Sequence, residues 1–147
     1  MSIAARLLQT RWFVRAPIIA FRARVGFVFG GRLLLLEHTG RRTGETRYVV
    51  LETVERASPT QVVIASGFGT RAQWFKNLQA DPRCRVSVGW SSRRPALAQV
   101  LGTADATAVL DRYRDAHARA YAELSGIIEE STGLSIDDVP LVRLTLI

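Results

Sequence analysis

The chain has 147 residues but only one cysteine, Cys84, and one lysine, Lys76. A single cysteine excludes an intrachain disulfide and any cysteine-rich zinc or iron–sulfur site. Cys84 stands in Arg83-Cys84-Arg85-Val86-Ser87-Val88, which reads as the start of a strand, so a packed cysteine is expected there rather than a nucleophile. A reducing, cytoplasmic compartment is consistent with that usage. The two histidines, His38 and His117, are far apart and lack a carboxylate-rich neighbourhood, and no metal site is expected. HExxH is absent, as are GxGxxG after a strand and a P-loop ending in Lys-[Ser/Thr]. The longest apolar runs are Ala16–Phe21, Val25–Phe29 and Leu33–Leu36, far below the roughly 20 residues of a membrane-spanning helix. Arg6, Arg11 and Arg15 interrupt the apolar residues near the start, so a signal peptide is not expected either.

What is present is arginine. The formal net charge is +7, and with one lysine nearly all the positive charge sits on guanidinium groups. A guanidinium offers a planar fork of donors that matches phosphate and carboxylate. Such a balance suits nucleic acid, an anionic membrane surface or an anionic small molecule. Charge alone does not choose among them, but the chain lacks a recognition helix and the basic-aromatic sheet motif, and nucleic acid is not an expected partner. Hydrophobic residues make up 48% of the chain, enough for one domain to build a core without covalent staples.

Along the chain, residues 2–15 pattern as an amphipathic helix, and residues 18–29 as a second apolar helix after Pro17. The division expected is an N-terminal helical segment, 1–30, and a folded domain, 31–147. Residues 2–29 are basic and amphipathic, which admits either packing on the domain or a partner, or peripheral contact with a membrane. Leu33–His38 is a continuous aliphatic strand, Arg47–Glu55 a second, Gln61–Ser66 a third. Arg71–Gln79 reads as a short helix stopped by Asp81-Pro82. Strands follow at about 85–89 and Pro95–Leu101, joined by a turn at Ser91-Ser92-Arg93-Arg94. Thr103–Leu124 is predicted as a helix capped by Asp105, with Gly126–Thr132 continuing it or starting another, and Leu141–Ile147 as the last strand. Six antiparallel strands with interspersed helices suit a small barrel with helices packed outside.

Two constellations could carry chemistry. Thr39-Gly40-Arg41-Arg42-Thr43-Gly44-Glu45-Thr46-Arg47 places three arginines, several hydroxyls and two glycines on one hairpin tip, a plausible cradle for phosphate or carboxylate. A solvated tip with outward arginines is the plain alternative. Ala65-Ser66-Gly67-Phe68-Gly69-Thr70 runs from a strand through glycines into Gln73-Trp74-Phe75-Lys76-Asn77-Leu78. There a second molecule can approach the backbone, Trp74 can stack on a flat ring or anchor the core, and Asn77 can bond a cofactor or the neighbouring loop. Ser66 has no His/Asp helpers, which argues against a hydrolytic triad.

In order and at this separation, the two segments resemble the deazaflavin-dependent nitroreductase and quinone reductase family. LLLLEHTGRRTGETR (33–47) is similar to the family's aliphatic strand and TGRxTGxxR loop, and ASGFGTRAQWFKNLQADP (65–82) to its AS-glycine loop and WYxNLxxxP helix. The likeness continues through Val86–Val88 and Pro140-Leu141-Val142-Arg143-Leu144, and covers roughly residues 25 to 147. It implies a split β-barrel, often dimeric, that binds coenzyme F420, with FMN used by some relatives. It implies that Arg41, Arg42, Thr43 and Arg47 hold the phosphate and acidic tail, and that Tyr48, Val49 and Val50 lie along the deazaflavin. Ala65, Ser66 and Gly67 would meet the ring or its ribityl chain, and Gln73, Trp74 and Asn77 would complete the pocket. Ser66 is the candidate catalytic residue, for a hydrogen bond near the reacting centre. The implied activity is hydride transfer from reduced F420 to a small, flat, apolar acceptor: a quinone, a nitroaromatic or an activated alkene. A non-catalytic carrier of a flavin-like or tetrapyrrole ligand, or an FMN-dependent reductase, is the alternative. Two positions depart from the pattern. Gly67 stands where many members carry lysine, and Val50 where many carry proline. Without that lysine, the loop arginines must do most of the anion binding.

Overall fold

The computed structural model describes residues 33–67 and 69–147. The helical segment expected at 1–30, and with it the membrane contact expected of residues 2–29, lies outside the described residues. Six strands form a closed antiparallel barrel: β1 (Leu33–Thr39), β2 (Thr46–Ser58), β3 (Gln61–Ala65), β4 (Arg83–Val88), β5 (Ser91–Val100) and β6 (Leu141–Leu146). Around the barrel the order is β1-β2-β3-β6-β5-β4, and β4 returns to β1. Closure leaves none of these six strands as an open sheet edge. Among the described residues three α-helices accompany it: α1 (Gln73–Ala80), α2 (Thr103–Ala116) and α3 (Ala118–Thr132). This is the helix-flanked six-stranded barrel that the sequence pattern predicts.

Strand alternation divides the apolar residues between two clusters. Leu34 and Leu36 of β1 face inward with Val62 and Ile64 of β3, Val86 and Val88 of β4, and Val142, Leu144 and Leu146 of β6. Trp74, Phe75 and Leu78 of α1 join this interior cluster. An eight-residue helix is marginal alone. Burying three large side chains, each worth roughly 1.5–3 kcal/mol, is what holds α1 in place. The opposite strand faces supply Val54, Val63, Ala65 and Leu141 to a second cluster, against Val109, Leu110 and Tyr113 of α2 and Ile128 of α3. A bidentate ion pair from Arg112 of α2 to Glu55 of β2, at 2.7 and 3.1 Å, fastens the helices to the sheet. Among the described residues no helix is long and apolar enough to cross a membrane.

Several boundaries differ from the sequence pattern. Ser91–Arg94 is not a turn but the beginning of β5; the chain reverses at Gly89 and Trp90 instead. Gly89, at φ +57, supplies the positive angle that a two-residue hairpin needs. The pairing of β4 with β5 slips between Val86 and Val88. Arg93 sits near this slip at φ 49, where its N–H donates to Ser87 Oγ at 2.9 Å and its Nε bridges both oxygens of Glu37. That bridge satisfies Glu37, a carboxylate only 5% exposed on β1. Helix α1 begins at Gln73, after a 3-10 turn at Gly69–Arg71. Asp105 does not cap α2; it lies in the first turn, and Gly102 holds the N-cap position. The long predicted helix breaks at His117, not near Gly126, so that α2 and α3 can both lay apolar residues on the barrel. The rings of Tyr113, His117 and Tyr121 cluster at this break, with centroids 5.9 and 6.2 Å apart.

Candidate functional site

A cleft of about 520 Å³ opens where β1 ends and β2 begins, against α1. Its walls are His38, Gly40, Arg41, Arg42, Thr43, Arg47, Tyr48, Val49, Gln73, Trp74 and Asn77. Two separate segments, residues 38–49 and 73–77, thus share one cavity. The ladder explains half of this: His38 pairs with Arg47 and Thr39 with Thr46, so the intervening residues form a tight tip at the barrel's end.

The tip is ordered from within. Gly40 N–H donates to Glu45 O, and Gly44 N–H to Gly40 O, both at 2.8 Å. Glu45 N–H donates to Thr43 Oγ1 at 3.2 Å. Gly44 has φ +74, which a side chain would strain. A Cβ at Gly40 would come within 3.1 Å of Thr43 Oγ1, tighter than real contacts usually allow. Helix α1 then fixes the tip from outside: Asn77 Oδ1 accepts from Arg41 N–H at 3.1 Å and from Arg41 Nη1 at 2.9 Å. Arg42 and Arg47 stay exposed, and Arg47 leans toward Glu45 at 3.6 Å.

The facing wall is apolar and rigid. Trp74 is both an anchor and a wall, for it belongs to the interior cluster, packs edge-on to Phe75 at 6.0 Å, and still lines the cleft. Val49 faces inward from β2, and Tyr48 follows Arg47 along the rim. Among the described residues no carboxylate lines this cleft. The donor set is therefore guanidinium, hydroxyl and carboxamide on one side, with an indole and aliphatic wall on the other. Such a set fits an elongated ligand that has a flat ring at one end and anionic groups at the other.

Of the residues singled out from sequence, Arg41, Arg42, Thr43, Arg47, Tyr48, Val49, Gln73, Trp74 and Asn77 come together here. Val50, Ala65, Ser66 and Gly67 are not among the lining residues. Strand alternation is the cause: Val62 and Ile64 point inward, so Ala65 turns out toward the helices. Ser66 follows with no exposed surface; its N–H donates to Pro140 O at 2.9 Å and its hydroxyl to Gly69 O at 2.6 Å. That hydroxyl is occupied in closing its own turn. Gly67 lies against α3, where an added Cβ would meet Ile128 at 3.6 Å.

Sequence reasoning missed His38. It is 5% exposed, lines the cleft, and sets Nδ1 3.0 Å from Asn77 Nδ2. Burial, and then the nearby charge of Arg47, lower its pKa from 6.5 to about 4. The available signal was its position: two residues before Gly40, on the inward phase of Leu34 and Leu36.

Comparison with known proteins meets this geometry. Residues 11–130 match the family described as F420H(2)-dependent quinone reductase. Rv3178 of Mycobacterium tuberculosis, a candidate F420H(2)-dependent quinone reductase, is 33% identical over 86 residues, which span 58% of this chain and 71% of that one. Among solved structures, a protein described as a domain-swapped dimer superposes with a TM-score of 0.59 at 21% identity, over 88% of this chain and 93% of the other. An F420-H2 dependent reductase, FDR-A, superposes with a TM-score of 0.54 at 22% identity, over 77% and 93% of the two chains. At those identities the two structures speak for the fold.

Proposed function

The chain belongs to the F420H(2)-dependent quinone reductase family, oxidoreductases whose cofactor is coenzyme F420, and from that premise we propose that the cleft between the Gly40–Arg47 tip and α1 holds reduced F420 and presents it to a small, flat, apolar acceptor, a quinone in the first place. The observation that carries this is the division of the walls: Arg41, Arg42 and Arg47 on one side, Trp74 and Val49 on the other, with no carboxylate lining the described cleft. Nitroaromatics and activated alkenes are acceptors of the same shape and belong to the same proposal.

Each wall has its own task. The arginines and the Thr43 hydroxyl take the anionic groups by charge-assisted hydrogen bonds, which at this partly exposed tip supply both affinity and register. Gln73 offers a carboxamide for the ring's polar edge, and Trp74 with Val49 excludes water from one face. Bound there, F420H2 supplies the hydride, and the protein's contribution is position and electrostatics. Ser66, whose hydroxyl is held by Gly69, has no part in the proposed chemistry. A homodimer is also proposed, supported by the domain-swapped assembly of the solved structure named above. Light scattering at twice the chain mass would bear it out.

The test is titration of the purified protein with F420, followed by cofactor fluorescence, with FMN in parallel. Saturable F420 binding at micromolar concentration is expected, followed by reoxidation of F420H2 on adding a naphthoquinone. Arg41→Ala and Arg47→Ala should each weaken binding roughly 10- to 100-fold, the equivalent of losing a charge-assisted hydrogen bond worth about 1.5–3 kcal/mol. Tight FMN binding with no F420 binding would sink the proposal.

A further inference from the structure

Asn77 bonds to Arg41 on one side and to His38 on the other. Its Oδ1 accepts from two groups of Arg41, the backbone N–H and Nη1, and its Nδ2 faces Nδ1 of His38. Both Arg41 groups are donors only, so the amide atom turned toward them has to be the oxygen. The amide nitrogen is then the atom facing His38, and a donor needs an acceptor opposite it. Nδ1 must be bare, and the ring proton must sit on Nε2. An imidazolium has no acceptor at all. It would set N–H against N–H and favour a flipped amide, which would in turn turn an NH2 group on two arginine donors. The chain of contacts is self-consistent in one protonation state of His38 only.

We propose that His38, as the neutral Nε2–H tautomer, is a positioning residue for the cleft: it orients the Asn77 amide and, through it, holds Arg41 in place to receive the anionic part of the ligand. The last clause rests on the function proposed above. The orienting contact does not.

A neutral residue in a cleft of arginines has a physical purpose. A further cation would add attraction, which three guanidinium groups already supply. An arginine side chain, however, loses rotamer freedom worth up to about 2 kcal/mol when it is fixed. If an acceptor already fixes it in the free protein, that ordering cost does not fall on binding. The acceptor must itself be fixed: the Arg41 backbone N–H selects the amide oxygen, and His38 Nδ1, as acceptor for the amide nitrogen, holds the other end. Burial beside Arg47 keeps the imidazole neutral well below neutral pH, so the competing charged state is not populated under ordinary conditions.

Three substitutions separate this from bulk packing. In His38→Asn the side-chain oxygen is bonded to Cγ, as Nδ1 is, so an acceptor is kept near its place. In His38→Gln it is carried one bond too far. In His38→Leu it is lost while bulk is retained. F420 affinity, read by fluorescence titration, should fall roughly tenfold in His38→Leu and His38→Gln, about 1.4 kcal/mol, and stay within about threefold of wild type in His38→Asn. In an Arg41→Ala background, His38→Leu should have almost no further effect, because nothing remains to be positioned. An equal loss in both backgrounds, or no rescue by asparagine, would overturn the proposal. Nitrogen NMR of the ligand-free wild-type protein supplies a readout independent of cofactor and of variant folding: a bare Nδ1 and a protonated Nε2 are expected at neutral pH, and a proton on Nδ1 refutes the contact. If the wild type binds no F420, the function proposed above fails, and the NMR result still decides the orienting contact.

Discussion

Cys84 aims its sulfur at the carbonyl of Ala96, 3.6 Å across the β4–β5 ladder, and lies in the interior cluster. Burial, and then the negative charge of Asp81, push its thiol up to about 12. The thiolate is the reactive form, and at neutral pH it is scarce and covered. Ellman's reagent should therefore leave the native protein untouched and titrate one thiol after denaturation. His38 makes the opposite kind of statement about pH. Its folded pKa is near 4 against 6.5 for a free imidazole, so between those values the unfolded chain binds the proton and the folded chain does not. Stability due to this group is fully present above 6.5 and drains away as pH falls toward 4. Urea midpoints measured across that window should fall more steeply for wild type than for His38→Asn, which has nothing to titrate. Parallel curves would show that the buried imidazole is not what couples stability to pH. Both residues were visible in the sequence, but only for Cys84 was the surrounding legible there. Its strand context fixes its burial, whereas the environment of His38 is made by Asn77 and Arg47, one of which is 39 positions away.

At the level of elements, the strand and helix types were legible because the apolar periods are clean: Leu33–Leu36 as a continuous run, Val62 and Ile64 alternating, Val109, Leu110 and Tyr113 on one helix face. The boundaries were less so. Asp105 looked like a cap because carboxylates favour helix starts, yet the chain enters α2 one turn earlier, at Gly102, directly off the last residues of β5. No side chain caps that end. The conformation of Gly102, φ −70 and ψ 167, suits any residue, and nothing lies within 4 Å of where a Cβ would be. Gly102→Asp should accordingly stabilise the protein by a few tenths of a kcal/mol, or about 0.5, through a side-chain bond to the free N–H groups and the helix dipole. A rise in the thermal midpoint checks it, and a fall would mean that the α2 start is not built as described. The Ser91–Arg94 segment misled for a different reason. Ser-Ser-Arg-Arg carries the composition of a turn, but Gly89 already provides the positive φ, and the arginines become strand residues, one of them neutralising Glu37.

For the molecule as a whole, the surplus of arginine acquires a direction only when the barrel closes. Net charge of +7 spread evenly would be a matter of solubility. Three of those charges gathered at one cleft, with Arg42 and Arg47 exposed to solvent, are a field that salt can screen. The Debye length shrinks from about 10 Å at 0.1 M to about 3 Å at 1 M ionic strength. F420 affinity should thus weaken severalfold over that range while the protein's melting temperature changes little. An affinity indifferent to salt would place the binding energy on the ring rather than on the tail. Dilution of the effect in Arg47→Ala would assign the exposed part of the field to that side chain.

The class of barrel, the two segments that build the cleft and the gathering of arginines at the Gly40–Arg47 tip are legible in the sequence alone. These follow from local rules: strand period, glycine at a tight turn, the donor fork of arginine. Only the tertiary structure decided which face each residue of those segments presents. A shift of one position along a strand exchanges interior for exterior, and so Ala65, next to a glycine loop, turns to the helix side, while His38, two residues before one, turns to the cleft. The bond of Arg41 to Asn77, across 36 positions, is likewise a product of closure. No local pattern encodes it, because it exists only where β1 and α1 are brought side by side.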